Sequence, residues 1–290
     1  MDWVNALTQG LLLGGLYALF AAGLSLVFGI MRVVNLAHGD FIILAAFLSI
    51  VVVGVTGVGP FLSLVIVVPL MGGLGYGLQR GLLARTLDRG VLPPLLVTFG
   101  LSVIIQNLLL QTFSADDRRL DAGDISTASI SIAGQLAIGW YPLVVFLVAA
   151  LAIAGLQGLF TRTALGRAFR ATADDQETVR LMGIDNRHTY GLAVAIAFGI
   201  VAVAGVFLGI RTTFSPDIGP GRLLVAFETV VIGGLGSLWG TLVGGVILGT
   251  AHTLGAKVDP AYRELAGHLV FLLVLLVRPQ GLFAKPVREA

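Results

Sequence analysis

Leu11-Leu-Leu-Gly-Gly-Leu-Tyr-Ala-Leu-Phe-Ala-Ala-Gly-Leu-Ser-Leu-Val-Phe-Gly-Ile30 runs for twenty residues without a charged side chain. A helix needs about 20 mostly apolar residues to cross the hydrocarbon of a bilayer, and this run supplies them. Further apolar runs follow: Phe41–Val55, Phe61–Leu83, Leu95–Phe113, Trp140–Phe160, Tyr190–Ile210, Leu223–Thr250 and Leu265–Val277. Gly233-Gly-Leu-Gly-Ser237 interrupts the seventh of these runs, which therefore reads as a short span followed by a longer one. The expected fold is all-α: a single polytopic membrane helix bundle over residues 1–290 with about eight to nine transmembrane helices, some of them broken or short.

Composition agrees. Of 290 residues, 57% are hydrophobic and 12% are charged, about half the charge of a soluble domain. So little charge does not cover a water-facing surface. Disorder is excluded as well, because it needs low hydrophobicity and high charge. No Cys is present, so disulfides and thiolate chemistry are impossible, and a net charge of +2 is no nucleic-acid signature. Met1-Asp2-Trp3 offers no positive n-region, so the first run is expected to stay as a span rather than be cleaved as a signal peptide.

Basic residues set the expected orientation. The 161–189 loop holds Arg162, Arg167, Arg170, Arg180 and Arg187. If it is cytoplasmic, alternation also places Arg32, Arg80, Arg85, Arg89, Arg278, Lys285 and Arg288 inside, twelve of the 18 basic residues. The N-terminus is then out and the C-terminus cytoplasmic.

Several chemistries lack their residues. The only lysines are Lys257 and Lys285, and neither stands in a Gly-x4-Gly-Lys-Ser/Thr phosphate loop. His38, His188, His252 and His268 are scattered, with no His-Glu-x-x-His, and no Gly-x-Ser-x-Gly occurs. No metal, cofactor or catalytic site is expected. Asp40 and Glu228 are too few intramembrane acids for the relay of a proton-coupled carrier.

Four features carry information. In the 161–189 loop, Asp174 reads as an N-cap with Glu177 three residues on, as in a capping box. A helix over Asp175–Met182 follows, with Gly183 as its stop. Phe169, Val179 and Met182 are apolar residues in this polar loop. They fit either packing on helix ends or a helix that docks into a partner's groove. In Arg32-Val-Val-Asn-Leu-Ala-His-Gly-Asp40, Asn35, His38 and Asp40 bring polarity to a membrane boundary. A plain loop and irregular backbone lining a path both account for it. After Pro93-Pro94, the residues Thr98, Ser102, Gln106 and Asn107 recur about once per turn. They serve interhelical hydrogen bonds or line a path. Finally, Gly73, Gly77 and Gly81, and again Gly236, Gly240 and Gly244, recur every four residues. Such stripes are helix-packing faces, within the subunit or between subunits. Glu228, inside an apolar run, is either a boundary carboxylate or a path-lining acid.

Val34-Asn-Leu-Ala-His-Gly-Asp40, Gly166-Arg-Ala-Phe-Arg-Ala171, Asp175 to Gly183, Gly233-Gly-Leu-Gly-Ser-Leu-Trp-Gly240 and Arg278-Pro-Gln-Gly-Leu-Phe283 together resemble permease subunits of branched-chain amino acid ABC importers of the LivH type. The resemblance covers essentially the whole chain. It implies ATPase subunits in trans on the cytoplasmic side, a second permease chain (a homologue or a second copy), a periplasmic substrate-binding protein, and a coupling helix at Asp175–Met182. Similar motifs serve permeases for urea or short amides. A stand-alone channel or secondary carrier is the other class, and it leaves the capped loop helix without a task.

Overall fold

The structure is a computed structural model that describes residues 2–87, 90, 92–132 and 136–283. Arg89, Lys285 and Arg288, used above for orientation, lie outside the described residues. The described chain is a helical bundle: α1 (Asp2–Met31), α2 (His38–Thr56), α3 (Pro60–Gly81), α4 (Leu92–Phe113), α5 (Trp140–Arg162), α6 (Ala164–Asp174), α7 (Gln176–Leu181), α8 (Asn186–Arg211), α9 (Gly219–Gly233), α10 (Leu238–Val258) and α11 (Tyr262–Val277). Seven of these, α1 to α5, α8 and α10, are long and apolar enough to cross a membrane. The apolar α9 and α11 have 15 and 16 residues, short of a full crossing. Among the described residues, seven helices reach spanning length where about eight to nine were expected, and the shorter α9 and α11 are the apolar segments that make up the difference in number.

The interrupted run resolves as read, into short α9 and longer α10. Gly234 and Gly236 adopt φ of 105° and 76° between them, a region that glycine enters without steric cost. The Arg278–Phe283 segment closes onto this turn. Leu282 N–H donates to the Ile232 carbonyl and Phe283 N–H to the Gly233 carbonyl, both at 3.0 Å. Two segments distant in sequence thus meet.

α1 is the axis of the bundle and is buried along most of its length. Its glycines let it lie against α10 backbone to backbone. A Cβ on Gly10 would stand 2.7 Å from Thr250 Cα, and one on Gly14 would overlap Val246. From α10, Gly245 and Gly249 return the contact. Gly240 and Gly244 serve a second α10 face, abutting Gly233 and Thr229 of α9. Both sit where two helices touch. Gly236 is not part of that stripe, because it sits in the turn before α10. On α3 the expectation fails within this chain. A Cβ on Gly73, Gly77 or Gly81 would meet no atom within 4 Å, whereas Gly75 packs on Phe198 of α8. The periodicity is one residue pair out of phase with the contact.

The 114–139 loop is not wholly irregular. Strands β1 (Ser129–Ile132) and β2 (Leu136–Gly139) pair antiparallel, with Ser129 opposite Gly139. The same loop reaches the segment after α8, where Arg118 and Phe214 exchange backbone hydrogen bonds of 2.9 and 2.8 Å. Both segments therefore lie at one end of the bundle.

Candidate functional site: a polar junction inside the bundle and a two-helix shelf at its end

α1 ends at Met31, and Arg32 takes a φ of 54°. The chain then turns back into the bundle. His38, first residue of α2, donates from Nε2 to the Phe20 carbonyl at 2.7 Å, so α2 starts beside the middle of α1. Residues 33–37 are non-helical backbone at that depth, and such backbone needs internal partners. Thr98 of α4 accepts from Leu36 N–H at 3.2 Å, and the Asn35 carboxamide oxygen accepts from Ala37 N–H at 3.0 Å.

α9 starts at the same place. A Cβ on Gly39 would overlap the Gly219 carbonyl, and one on Gly219 would overlap Asp40. The N-termini of α2 and α9 thus abut, and both contribute positive partial charge there. Asp40, 1% exposed, lies in the first turn of α2. Gln106 donates from Nε2 to Asp40 Oδ1 at 2.9 Å and to Ser102 Oγ at 3.1 Å. Asp40 Oδ2 has no partner among the described residues. The junction joins one carboxylate, two carboxamides and two hydroxyls from α2, α4 and the segment between α1 and α2.

Asn35, His38, Thr98, Ser102 and Gln106 therefore converge on the start of α2. Asn107 does not: it is exposed on the other side of α4, and its amide donates to the Val103 carbonyl of its own helix. Four residues at roughly one-turn spacing do not all share a face, because Gln106 and Asn107 are adjacent and about 100° apart. Glu228 is elsewhere too. It is buried on α9 and accepts from His268 Nδ1 of α11. It is not a boundary carboxylate exposed at the surface.

At the bundle's end, the 161–189 loop is a pair of helices rather than a loop with one helix. The Thr163 hydroxyl caps α6 by accepting from Gly166 N–H at 3.0 Å. A Cβ on Gly166 would overlap the Leu159 carbonyl, so α6 folds tightly back on α5. Phe169 is fully buried and lies 5.7 Å from Phe160, ring centroid to ring centroid. The cap of α7 is Asp175, not Asp174. Asp174 is still helical as the last residue of α6, whereas Asp175 is extended (φ −149°, ψ 105°), the conformation an N-cap needs. Its Oδ1 accepts from Glu177 N–H at 2.9 Å and Thr178 N–H at 3.1 Å. Hydrogen bonds from the Thr178 side chain and backbone hold the Asp175 carboxyl below the usual carboxylate range. Glu177 is one position too early for the box, and Thr178 stands in that place, its hydroxyl donating to Asp175 Oδ2. α7 spans Gln176–Leu181, shorter at each end than Asp175–Met182. Val179 is 3% exposed and faces the protein, while Leu181 and Met182 are 88% and 75% exposed. Asn186 Nδ2 ties the shelf to α8 by donating to the Gln176 carbonyl at 2.9 Å.

The sequence model of the family described as branched-chain amino acid transport system / permease component matches residues 6–278. The chain belongs to this family. It is 30% identical over 303 residues to the high-affinity branched-chain amino acid transport system permease protein BraD of Pseudomonas aeruginosa, covering 99% of this chain and 97% of that protein. Likeness to LivH of Escherichia coli K12 is 29% over 305 residues, with the same coverage. The autoinducer 2 import system permease protein LsrC of Salmonella paratyphi B is 28% identical over 179 residues, 60% of this chain and 49% of that one. No solved structure matches the chain. The family is one of transport permeases rather than of enzymes, and the long apolar helices make the chain a multi-pass membrane protein.

Two features of this permease escape the sequence reading. Gln79 of α3 is 1% exposed, and neither amide atom has a hydrogen-bond partner among the described residues. It lines a small cavity of about 20 Å³ with Asn35 and Thr98. A single carboxamide at the end of an apolar run was the available signal. The histidines are also less scattered than their numbers suggest. His252 Nδ1 bonds the Tyr17 hydroxyl at 2.8 Å, and His252 abuts Gly267, one residue before His268.

Proposed function

We propose that this permease is the membrane subunit of an ABC importer that moves leucine, isoleucine and valine into the cytoplasm. The observation that carries the reading is end-to-end likeness to BraD and LivH, 97% of each of those proteins. ATPase subunits in trans supply the energy by binding the α6–α7 shelf, where Leu181 and Met182 stand exposed. A second permease chain and a periplasmic substrate-binding protein complete the importer. The chain sits in the inner membrane with its N-terminus out and its C-terminus cytoplasmic, which puts the five arginines of 162–187 inside.

Asn35, His38, Thr98, Ser102 and Gln106, with Asp40, line the path at the α2–α9 junction. Hydroxyls, amides and a carboxylate among apolar walls suit a zwitterion with an apolar side chain. Broken helices at mid-depth are a recurring way to build such a site. The open Gly73, Gly77 and Gly81 stripe is where the second permease chain packs. Partial likeness to LsrC, named for autoinducer 2 import, supports a second reading: the same architecture with another small polar cargo, including urea or short amides.

The test is uptake by proteoliposomes holding the permease pair, its ATPase and its binding protein. ATP-dependent accumulation of labelled leucine, isoleucine and valine is expected, with none when the ATPase is omitted. Uptake that proceeds without the ATPase, or of urea but not leucine, overturns the reading.

A further inference from the structure

A crevice of about 830 Å³ opens at the shelf end of the bundle, where the last turns of α1 and α5 meet α6 and the turn before α10. Arg32 and Arg170 both line it, and neither guanidinium makes a hydrogen bond or ion pair with a described residue. Ser25, on the α1 wall, is 1% exposed, and its hydroxyl has no partner among the described residues. Asp174 is the one carboxylate in the lining, so the lining carries a net charge of +1. Leu26, Phe160 and Leu238 give the wall an apolar part beside the uncharged polar Gln157, Thr161 and Ser237, and Trp239, 47% exposed, also lines it. The first turn of α10 presents its positive end there as well.

We propose that this crevice holds the headgroup of one anionic phospholipid of the phosphatidylglycerol type. The crevice lies at the ends of membrane spans, where a headgroup lies. A tryptophan at that level is the residue that anchors at the interface. Basic pockets between spans on the cytoplasmic side are a known physical solution for acidic headgroups. Arg32 and Arg170 pair with the phosphodiester, and guanidinium forks match phosphate geometry. A single negative charge balances the lining. The uncharged glycerol hydroxyls meet Asp174, and the upper acyl carbons cover Leu26 and Phe160. Inorganic phosphate shares the anion but has no use for the apolar wall. The inference stands whether or not the cargo is a branched-chain amino acid.

Two measurements on the full chain test it. In the first, the thermal midpoint of the detergent-purified permease is followed while phosphatidylglycerol, phosphatidylethanolamine or inorganic phosphate is titrated in. Phosphatidylglycerol is expected to stabilise at the lowest concentration. In an Arg32→Gln, Arg170→Gln double variant its apparent affinity should fall roughly thirtyfold, two interfacial charges' worth, with no change in an Arg162→Gln control. In the second, Trp3→Phe with Trp140→Phe leaves Trp239 as the sole tryptophan of the three. Brominated phosphatidylglycerol should quench it more strongly than brominated phosphatidylethanolamine at equal mole fraction. This measurement keeps both arginines, so it decides alone if the double variant does not fold. Equal quenching by the two lipids overturns the proposal, and so does equal stabilisation by phosphate alone. Loss of ATPase co-purification in the double variant, with no lipid preference in the wild type, assigns the crevice to a protein partner and overturns it too.

Discussion

α10 and α3 carry glycines at the same four-residue spacing, and the two stripes meet opposite fates. On α10, Gly240 and Gly244 bring the helix into backbone contact with Gly233 and Thr229. On α3, Gly73, Gly77 and Gly81 face open space. Spacing makes close approach possible, but the neighbouring helix decides whether it happens. In a bilayer no water drives helices together, so packing geometry itself selects the partner. A stripe left open in one chain is the proposed packing surface for the second. The six residues of α7 repeat the contrast on a small scale, with Val179 turned in and Leu181 turned out.

The largest effect is expected where the stripe is closed. Gly240→Leu places a side chain into the Gly233 carbonyl, and the backbone has no room to yield. Overpacking a tight contact costs about 1–3 kcal/mol or more. Loss of folded protein is expected, read as a collapsed monodisperse peak in detergent chromatography. A normal peak would break the comparison from the closed side.

Gly77→Leu tests the open side. No atom lies within 4 Å of where its Cβ would stand, so yield and thermal midpoint should match the wild type. Recovery of the second permease chain in a pull-down should drop at least about tenfold, equivalent to ~1.4 kcal/mol. A variant that folds and still assembles fully would leave the α3 stripe facing only lipid.

Much of this was legible in the sequence, for physical reasons that mark where reading stopped. Spans are long and dominated by one term, the avoidance of water, so α1 to α5 and the broken 223–250 run stand out. The convergence of Asn35, His38 and Thr98 was legible only as separate polar interruptions, because nothing local says that Gly39 meets Gly219. Asp40 is legible as one of two intramembrane acids, yet its site depends on Gln106 and on the start of α9. Asn107 joined the wrong face because a one-turn period tolerates a residue's error, and a residue's error is about 100° on a helix of 3.6 residues per turn. The cap slipped from Asp174 to Asp175 for a similar reason. Two adjacent aspartates offer the same side chain, and only the end of α6, set by packing on α5, chooses between them.

The next effect is smaller and separates the two faces of α7. Leu181→Ala with Met182→Ala removes exposed apolar surface and should leave folding unchanged. It should weaken ATPase association by roughly tenfold, within the range of a few interface residues. Val179→Ala acts on a buried side chain, so it should loosen the shelf, seen as faster hydrogen exchange in α7. If Val179→Ala alone abolishes ATPase binding while the exposed pair is silent, the docking face has been misassigned.

The smallest effect is at the cap. Asp175 is fully solvated, so its hydrogen bonds to Glu177 and Thr178 compete with water and hold only the first turn of α7. Asp175→Ala is expected to lower ATPase association modestly, roughly twofold to tenfold, through fraying rather than through a lost contact. Asp175→Asn, which still caps, should restore most of it. The charge adds a pH dependence with a definite sign. The carboxyl titrates below its ordinary value when α7 is formed, so the ionised form favours the helix. That contribution is complete above the ordinary carboxylate range and fades as pH falls through the depressed value. Hydrogen exchange at the Glu177 and Thr178 amides of the purified chain should therefore be slow near neutrality. Its protection should fall on acidification, and Asp175→Asn should show no such fall. Protection that is flat with pH in the wild type would mean that Thr178 and the packing of Val179 hold the turn without the carboxylate. The division of α7 into a fixed inner face and a presented outer face would then rest on Val179 alone.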